Sequence, residues 1–335
     1  MSFRSPVVLW TCLGAILVSP ASGSVLEAQS RAMERARDAV VGVKVQVVEG
    51  ARTARILGSQ REGSGVLIGA DGLVLTIGYL ILEAQSVELS LDDGRRVPAR
   101  VVAQDTATGL GLVQALAPLG REPVTLGTST DITNEEPMSV ASGGDNAAVS
   151  VARLLSRRAF TASWEYHLDA ALYTTPPRRD HSGAGLFSAR GELLGIGSLW
   201  LADVSESGQE GMPGNMFVPV DLIKPVLDEM RQRGRSTVSA RAWLGLNCSQ
   251  VGGVVQVQRV TDDSPADVAG LEVGDRIVYI DGVKVTSVAR LWQTLWAGSA
   301  SEREVVLEIE RAGRPRTVRV NTVDREYTLV RASGV

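Results

Sequence analysis

Residues 63–77 read GSGVLIGADGLVLTI. Two apolar runs flank an Ala-Asp-Gly turn, the pattern of a β-hairpin. Working outward, residues 86–105, SVELSLDDGRRVPARVVAQD, repeat the scheme around an Asp-Asp-Gly turn. Short runs of the same kind continue through LGLVQAL, EPMSVASGG, ARLLSRRAF, LDAALYTT, LFSARGELLGIGSLW and GNMFVPV. So many short strands at even spacing, with almost no helix between them, predict an all-β barrel or sandwich.

Upstream, small and apolar residues recur at helical spacing from Val25 to Val40, predicting a short amphipathic helix, and VVGVKVQVVEG then alternates like a half-buried strand. Downstream, VDLIKPVLDEMRQRG puts Leu222, Ile223, Val226, Leu227 and Met230 on one face, with Pro225 early and Gly234 at the end, and reads as one closing helix. A linker, RSTVSA, leads to a second unit near Arg241. There Ser264 can cap a short helix that begins at Pro265. Asp281-Gly282 is a hairpin turn, and Val288, Leu291, Trp292, Leu295 and Trp296 share one helical stripe. Two strands around Ala312-Gly313 close the unit.

At 335 residues the chain is long enough for two or three domains with separate cores. With 21% charged and 44% hydrophobic residues it is neither disordered by composition nor polytopic in a membrane. A net charge of -4 gives no electrostatic reason to expect a nucleic-acid partner. The start, MSFRSPVVLWTCLGAILVSPASG, combines an early arginine, an apolar run and a small-residue stretch, the layout of a secretory signal cleaved near Gly23. A buried helix or a retained anchor is the alternative. Cleavage would leave Cys248 as a small buried filler without a disulfide partner, and no metal site or cofactor is expected.

These stretches resemble the HtrA (Deg) family of trypsin-like serine peptidases, in which a double β-barrel is followed by a PDZ domain. The matching segments are GSGVLIGADGLVLT, VELSLDDGRRVPARVV, DHSGAGLFSARGELLGI, FVPVDLIKPVLDEM, WLGL and, most specifically, SPADVAGLEVGDRIVYIDGVKV. The resemblance implies a mainly β protein: signal at 1–23, helix or linker at 24–38, barrels at 39–235, PDZ domain at 241–324 and tail at 325–335.

It also implies a site, unevenly preserved. Ser182, in the turn RRDHSGAGLF, stands at the nucleophile position. Where the family has its base histidine this chain reads LTIGYLI, placing Tyr79 there; where it has its acid, TGLGLV places Gly109. Asp180 stands where a glycine donates its N–H to the developing oxyanion. A serine hydroxyl needs a base to take its proton and return it to the leaving amine, whereas a phenol with an ordinary pKa near 10 keeps its own proton at neutral pH. His181 is expected to point away from its neighbour, His167 has no family role, and Lys44, Lys224 and Lys284 fall in segments the family keeps away from the site.

By the same resemblance, Trp243-Leu244-Gly245-Leu246 is the loop that holds a peptide's terminal carboxylate, with Leu244, Leu246, Leu291 and Leu295 lining the last side chain's pocket. Peptide binding is the favoured reading; the alternative is that Leu246, Leu291 and Leu295 are simply core and the domain docks on its own barrel instead of on a ligand. Arg153, Arg157, Arg158, Arg178 and Arg179 read as solvated surface, with an anion contact by Arg178 and Arg179 at the cleft as a second reading.

The expectation from sequence is an exported, non-catalytic HtrA-like protein of a bacterial periplasm or envelope. It would bind unfolded or C-terminal peptide segments as adaptor, holder or regulator, with an active family peptidase among its partners and a trimer implied by resemblance. The alternative is a serine endopeptidase using Ser182 with an unorthodox site.

Overall fold

The computed structural model describes residues 20–133, 136–205, 211–298 and 300–330. Most of the expected export signal lies outside the described residues. Among those described, no helix is long and apolar enough to cross a membrane.

Helix α1 (Pro20–Asp38) leads into the first barrel. Its strands are β1 (Val40–Val47), β2 (Gln60–Leu67), β3 (Leu73–Ile77), β4 (Ala84–Ser90), β5 (Arg96–Gln104) and β6 (Leu110–Ala115), closed in the order β1-β2-β3-β6-β5-β4. Two helical turns interrupt them, α2 (Ala54–Leu57) and α3 (Gly78–Ile81). The second barrel has β7 (Met138–Ser142), β8 (Ala148–Thr161), β9 (His167–Thr175), β10 (Gly185–Phe187), β11 (Leu193–Leu201) and β12 (Gly214–Pro219), closed as β10-β11-β12-β9-β8-β7. Closure leaves neither sheet an open edge. Every residue of β3 is buried, which is why that strand reads as an unbroken apolar run instead of an alternation.

The expected single closing helix is two pieces. A tight turn at Val220–Leu222 precedes α4 (Leu227–Arg233). Pro225 lacks an N–H and disfavours helical backbone before it, so the apolar pattern cannot run as one helix. Ile223 and Met230 are buried, but Leu222 is 37% exposed and leaves the predicted face.

The second unit contains β13 (Ala242–Trp243), β14 (Leu246–Val251), β15 (Val254–Val260), α5 (Pro265–Val268), β16 (Arg276–Ile280), β17 (Val283–Lys284), α6 (Val288–Leu295), β18 (Glu304–Arg311), β19 (Arg314–Asn321) and β20 (Val323–Asp324). Ser264 caps α5 by accepting from the Asp267 N–H. Asp281 and Gly282 both have positive φ, 50° and 75°, as the β16–β17 turn requires. Along β18, Val305, Leu307 and Ile309 turn inward onto Leu291, Trp292 and Leu295 of α6, forming a core separate from that of the barrels.

The linker and the described part of the tail are both tied down. Ser236 donates to Glu229 (3.0 Å), and Thr106 donates to the Ser239 carbonyl (2.9 Å). The Val330 N–H reaches Glu83 of the first barrel (2.9 Å).

Candidate active site

Ser182 lies on the seam between the barrels because glycine alone fits beside it. Gly183 has φ +75°, and a Cβ there would sit 1.9 Å from the Ser64 carbonyl oxygen. That close approach lets the Ser64 N–H donate to the Ser182 carbonyl at 2.8 Å and the Gly183 N–H donate to the Gly197 carbonyl at 2.9 Å. The turn is thereby held from both barrels, with the serine side chain facing the first.

Tyr79 comes from α3, a helical turn too short to persist by its own hydrogen bonds. Arg61, only 4% exposed, fastens it. Its guanidinium donates to the carbonyls of Tyr79 (2.8 Å) and Leu82 (2.9 Å) as well as Gly58 (3.1 Å) and Thr53 Oγ1 (2.6 Å). The Tyr79 Oη lies 2.8 Å from Ser182 Oγ and 2.9 Å from the Ser198 carbonyl oxygen. A carbonyl only accepts, so satisfying both contacts requires the phenol to donate to Ser198 and the serine to donate to the phenol oxygen. Burial pushes the Tyr79 phenol up to about 12, against a smaller opposing pull from Ser182.

Gly109 adopts φ +74°, and a Cβ there would meet Tyr166 Oη at 3.1 Å. Tyr166 takes up the space beside this position and donates to the Thr108 carbonyl at 2.6 Å. Sequence reasoning missed Tyr166, since nothing local to YHLDAAL marks it as a neighbour of residue 109. The nearest relevant carboxylate in sequence, Asp105, is turned onto the Thr108 Oγ1 (2.5 Å) and N–H (3.2 Å).

Asp180 is less disruptive than its charge implies. Burial pushes its carboxyl up, but Arg178 and Ser142 outweigh that and hold it below the ordinary range. Arg178 Nε donates to it at 2.9 Å, Arg178 Nη2 makes a second contact, and Ser142 Oγ donates at 2.5 Å. Arg178 also donates to Ser150 Oγ at 2.7 Å. This corrects two expectations: the carboxylate is neutralised by a partner, and Arg178 is engaged internally instead of reading the cleft. Arg157 and Arg158 are likewise not simply solvated, Arg157 donating to Ser129 Oγ (3.2 Å) and Arg158 stacking 3.9 Å above the Tyr173 ring.

The histidines are engaged elsewhere, His181 Nδ1 with the Arg178 carbonyl (3.0 Å) and His167 Nδ1 with Thr161 (2.7 Å). Lys44 departs from the expectation that it lies away from the site. It lines, with Ser182, Gly143 and Arg179, a cleft of about 200 Å³. Its ammonium is bonded to Asp145 at 2.8 Å, which raises its pKa and keeps it a cation instead of a base.

In the second unit, Leu244, Leu246, Leu291 and Leu295 are buried within the domain's own core. Gly245 has φ +90°, and a Cβ there would lie 2.2 Å from that of Ser264, so the loop needs glycine to turn its amides one way. Those amides, of Leu244, Gly245 and Leu246, all donate to one oxygen of Glu165, from the tip of the β8–β9 hairpin. Trp243 pairs with Val323.

Two closed barrels with a serine on their seam, followed by a small sheet with an amide-lined loop, define a serine-peptidase fold carrying a peptide-recognition module. The trypsin-like peptidase domain family matches residues 63–196, and the PDZ domain family matches residues 242–322. A probable periplasmic serine endoprotease, DegP-like, of Ectopseudomonas mendocina (strain ymp) is 27% identical over 301 residues, 83% of this chain and 60% of that protein. The serine endoprotease DegS of Haemophilus influenzae is 26% identical over 271 residues, 75% of this chain and 74% of DegS. This chain spans 60% and 56% of the two DegP-like relatives from Ectopseudomonas and Halomonas. Among solved structures, the HtrA-type protease AlgW with decapeptide superposes with a TM-score of 0.55 at 20% identity, covering 89% of this chain and 98% of that one. By these matches the chain carries a trypsin-like peptidase domain followed by a PDZ domain, and it is similar to serine endoproteases of the DegP and DegS kind.

The relatives overturn the sequence-based expectation of a non-catalytic binding protein. The DegP-like relative and DegS are named as serine endoproteases, and the alternative, an endopeptidase acting through Ser182, fits them better.

Proposed function

We propose that the chain is a serine endopeptidase of the bacterial cell envelope, attacking peptide carbonyls with Ser182 Oγ and using ionised Tyr79 as its base. The observation that carries this reading is the 2.8 Å contact between the two hydroxyl oxygens. The tyrosinate takes the Ser182 proton as the Oγ–C bond forms. The phenol so made gives that proton to the departing amine as the C–N bond breaks, which regenerates the tyrosinate. Water then loses a proton to Tyr79 and attacks the acyl-enzyme, and that proton returns to Ser182 Oγ.

Asp180 stays ionised beside this chemistry, but its pairing with Arg178 spares the oxyanion an isolated negative neighbour. A pKa of about 12 leaves about one Tyr79 in 10⁵ ionised at pH 7, so turnover is slow there and rises with pH. The PDZ domain supports recognition of extended peptide segments, as do the AlgW structures with decapeptide and tripeptide. The envelope assignment rests on relatives named as periplasmic.

The test is covalent labelling of the purified full chain by a fluorophosphonate, beside degradation of an unfolded protein substrate. Wild type is expected to label and degrade, with both lost in Ser182→Ala. Failure of wild type to label between pH 7 and 10, or labelling that survives Ser182→Ala, would overturn the reading.

A further inference from the structure

The tip of the β8–β9 hairpin, residues 162–166, leaves its own barrel and enters the PDZ groove between β14 and α6. Four contacts define how it lies there. The Cys248 N–H of β14 donates to the Ser163 carbonyl at 2.7 Å. Trp164 forms an antiparallel bridge with Asn247. The indole Nε1 of Trp292, on α6, donates to the Ala162 carbonyl at 3.2 Å. Beyond Trp164, the Glu165 side chain reaches the glycine-bearing loop, where Oε1 accepts from the N–H groups of Leu244 (3.0 Å), Gly245 (3.0 Å) and Leu246 (3.2 Å).

Direction and chemistry agree. From Ser163 to Glu165 the tip runs antiparallel to β14, from Cys248 toward Leu246, and finishes on a carboxyl group in a nest of three amides. An extended peptide that adds to a sheet edge and ends in a free carboxylate makes this same set of contacts. Glu165 is 6% exposed, and its second oxygen is buried with no hydrogen-bond partner. A polar atom left unsatisfied in a buried place is costly, and a general docking contact would have no reason to send a carboxyl there. The loop amides are the compensation, because without an acceptor all three would be buried and orphaned.

We infer that residues 162–165 are a resident ligand of the PDZ groove, with Glu165 standing in for a terminal carboxylate, so that a peptide with a free C-terminus binds only by displacing them. The partner this leaves room for has an extended backbone, a terminal carboxylate and enough further contact to outcompete a tethered segment. Tethering gives the resident an effective concentration in the millimolar range, so a weakly held peptide is excluded. The inference rests on the peptide-binding part of the proposed function and is independent of catalysis at Ser182.

The experiment uses the full chain, wild type and Glu165→Ala, with a fluorescein-labelled decapeptide ending in a free leucine and its C-terminally amidated twin. Thermal unfolding first establishes that the variant is folded. Glu165→Ala is expected to bind the free-acid peptide at least tenfold more tightly than wild type does, and the amide weakly. Equal affinities of folded wild type and variant for the free acid overturn the proposal. Amide hydrogen exchange at Leu244, Gly245 and Leu246 gives a second reading that needs no peptide. These amides should be protected in wild type and exchange at least tenfold faster in Glu165→Ala, whereas fast exchange in wild type overturns the proposal even if the variant fails to fold. Should neither protein bind peptide, the peptide-capture reading fails and displacement with it, while exchange alone decides whether Glu165 occupies the loop.

Discussion

The phenol oxygen of Tyr79 sits 2.8 Å from Ser182 Oγ and 2.9 Å from the Ser198 carbonyl, so the serine's proton points at tyrosine and not at an imidazole. A base with a pKa of about 12 is ionised in direct proportion to hydroxide concentration throughout the usable pH range. The rate of Ser182 labelling by a fluorophosphonate is therefore expected to rise close to tenfold per pH unit from pH 7 to 10. Tyr79→Phe should flatten this profile and lower the rate at pH 10 by at least tenfold. A wild-type profile that levels off near pH 7 would show that a group other than Tyr79 takes the proton.

Gly109 bears on attempts to rebuild a conventional triad. An aspartate there would have to adopt φ +74° and place its Cβ 3.1 Å from Tyr166 Oη. A strained backbone of this kind costs roughly 1–3 kcal/mol. Gly109→Asp should accordingly lower unfolding stability by that amount in denaturant titration. The double variant Tyr79→His with Gly109→Asp should gain little activity while Tyr166 fills the space. Full stability of Gly109→Asp would mean that Tyr166 yields easily.

The architecture was legible because its signals are local: Asp-Gly turns, alternating strands and the run from Ser264 to Val285 each depend on neighbours in sequence. Residues 79, 109, 180 and 182 were singled out in the same local way, by their offsets from such strands, which gives positions and no roles. Their surroundings were not. Tyr166 beside Gly109, and Glu165 in the loop at 244–246, are separated by 57 and about 80 residues and meet only when the two barrels, or the second barrel and the PDZ domain, are in place. Arg178 illustrates the same limit, because an arginine pair in sequence gives no sign that one member turns inward onto Asp180. The closing helix was misread for a different reason: its apolar spacing was right, but the proline within it breaks the backbone that spacing presumes.

Glu165 makes stability depend on pH in a defined direction. Burial pushes its carboxyl up to about 7, with Arg325 and the three loop amides opposing, against an ordinary value of 4.5. Between those values the folded chain holds a proton that the unfolded chain has released. Stability is therefore greatest on the acid side of the window, falls as the pH rises through it, and is level above it. The full shift corresponds to about 3 kcal/mol. Glu165→Gln keeps an acceptor for the amides but cannot ionise. Its unfolding free energy should vary less than that of wild type between pH 5 and 8. Parallel curves for the two proteins would exclude Glu165 as the titrating group.

Arg61 gives the remaining test, of how Tyr79 is held. Its guanidinium joins four acceptors at once, including the carbonyls of Tyr79 within α3 and of Leu82 just after it, and it lies near the Glu83 carboxylate. Removing it leaves those acceptors buried with nothing to donate to them, a loss on the order of 3 kcal/mol for a charged group inside a network. Arg61→Ala should lower stability by about that much and, because α3 is a single turn, also slow Ser182 labelling. Arg61→Lys separates the two effects. An ammonium retains the charge but not the planar fork, so it cannot reach all four acceptors. It should recover part of the stability while labelling at pH 10 stays well below wild type. If Arg61→Lys restores labelling fully, the charge of this residue suffices and its multidentate grip on the Tyr79 turn is not what positions the phenol.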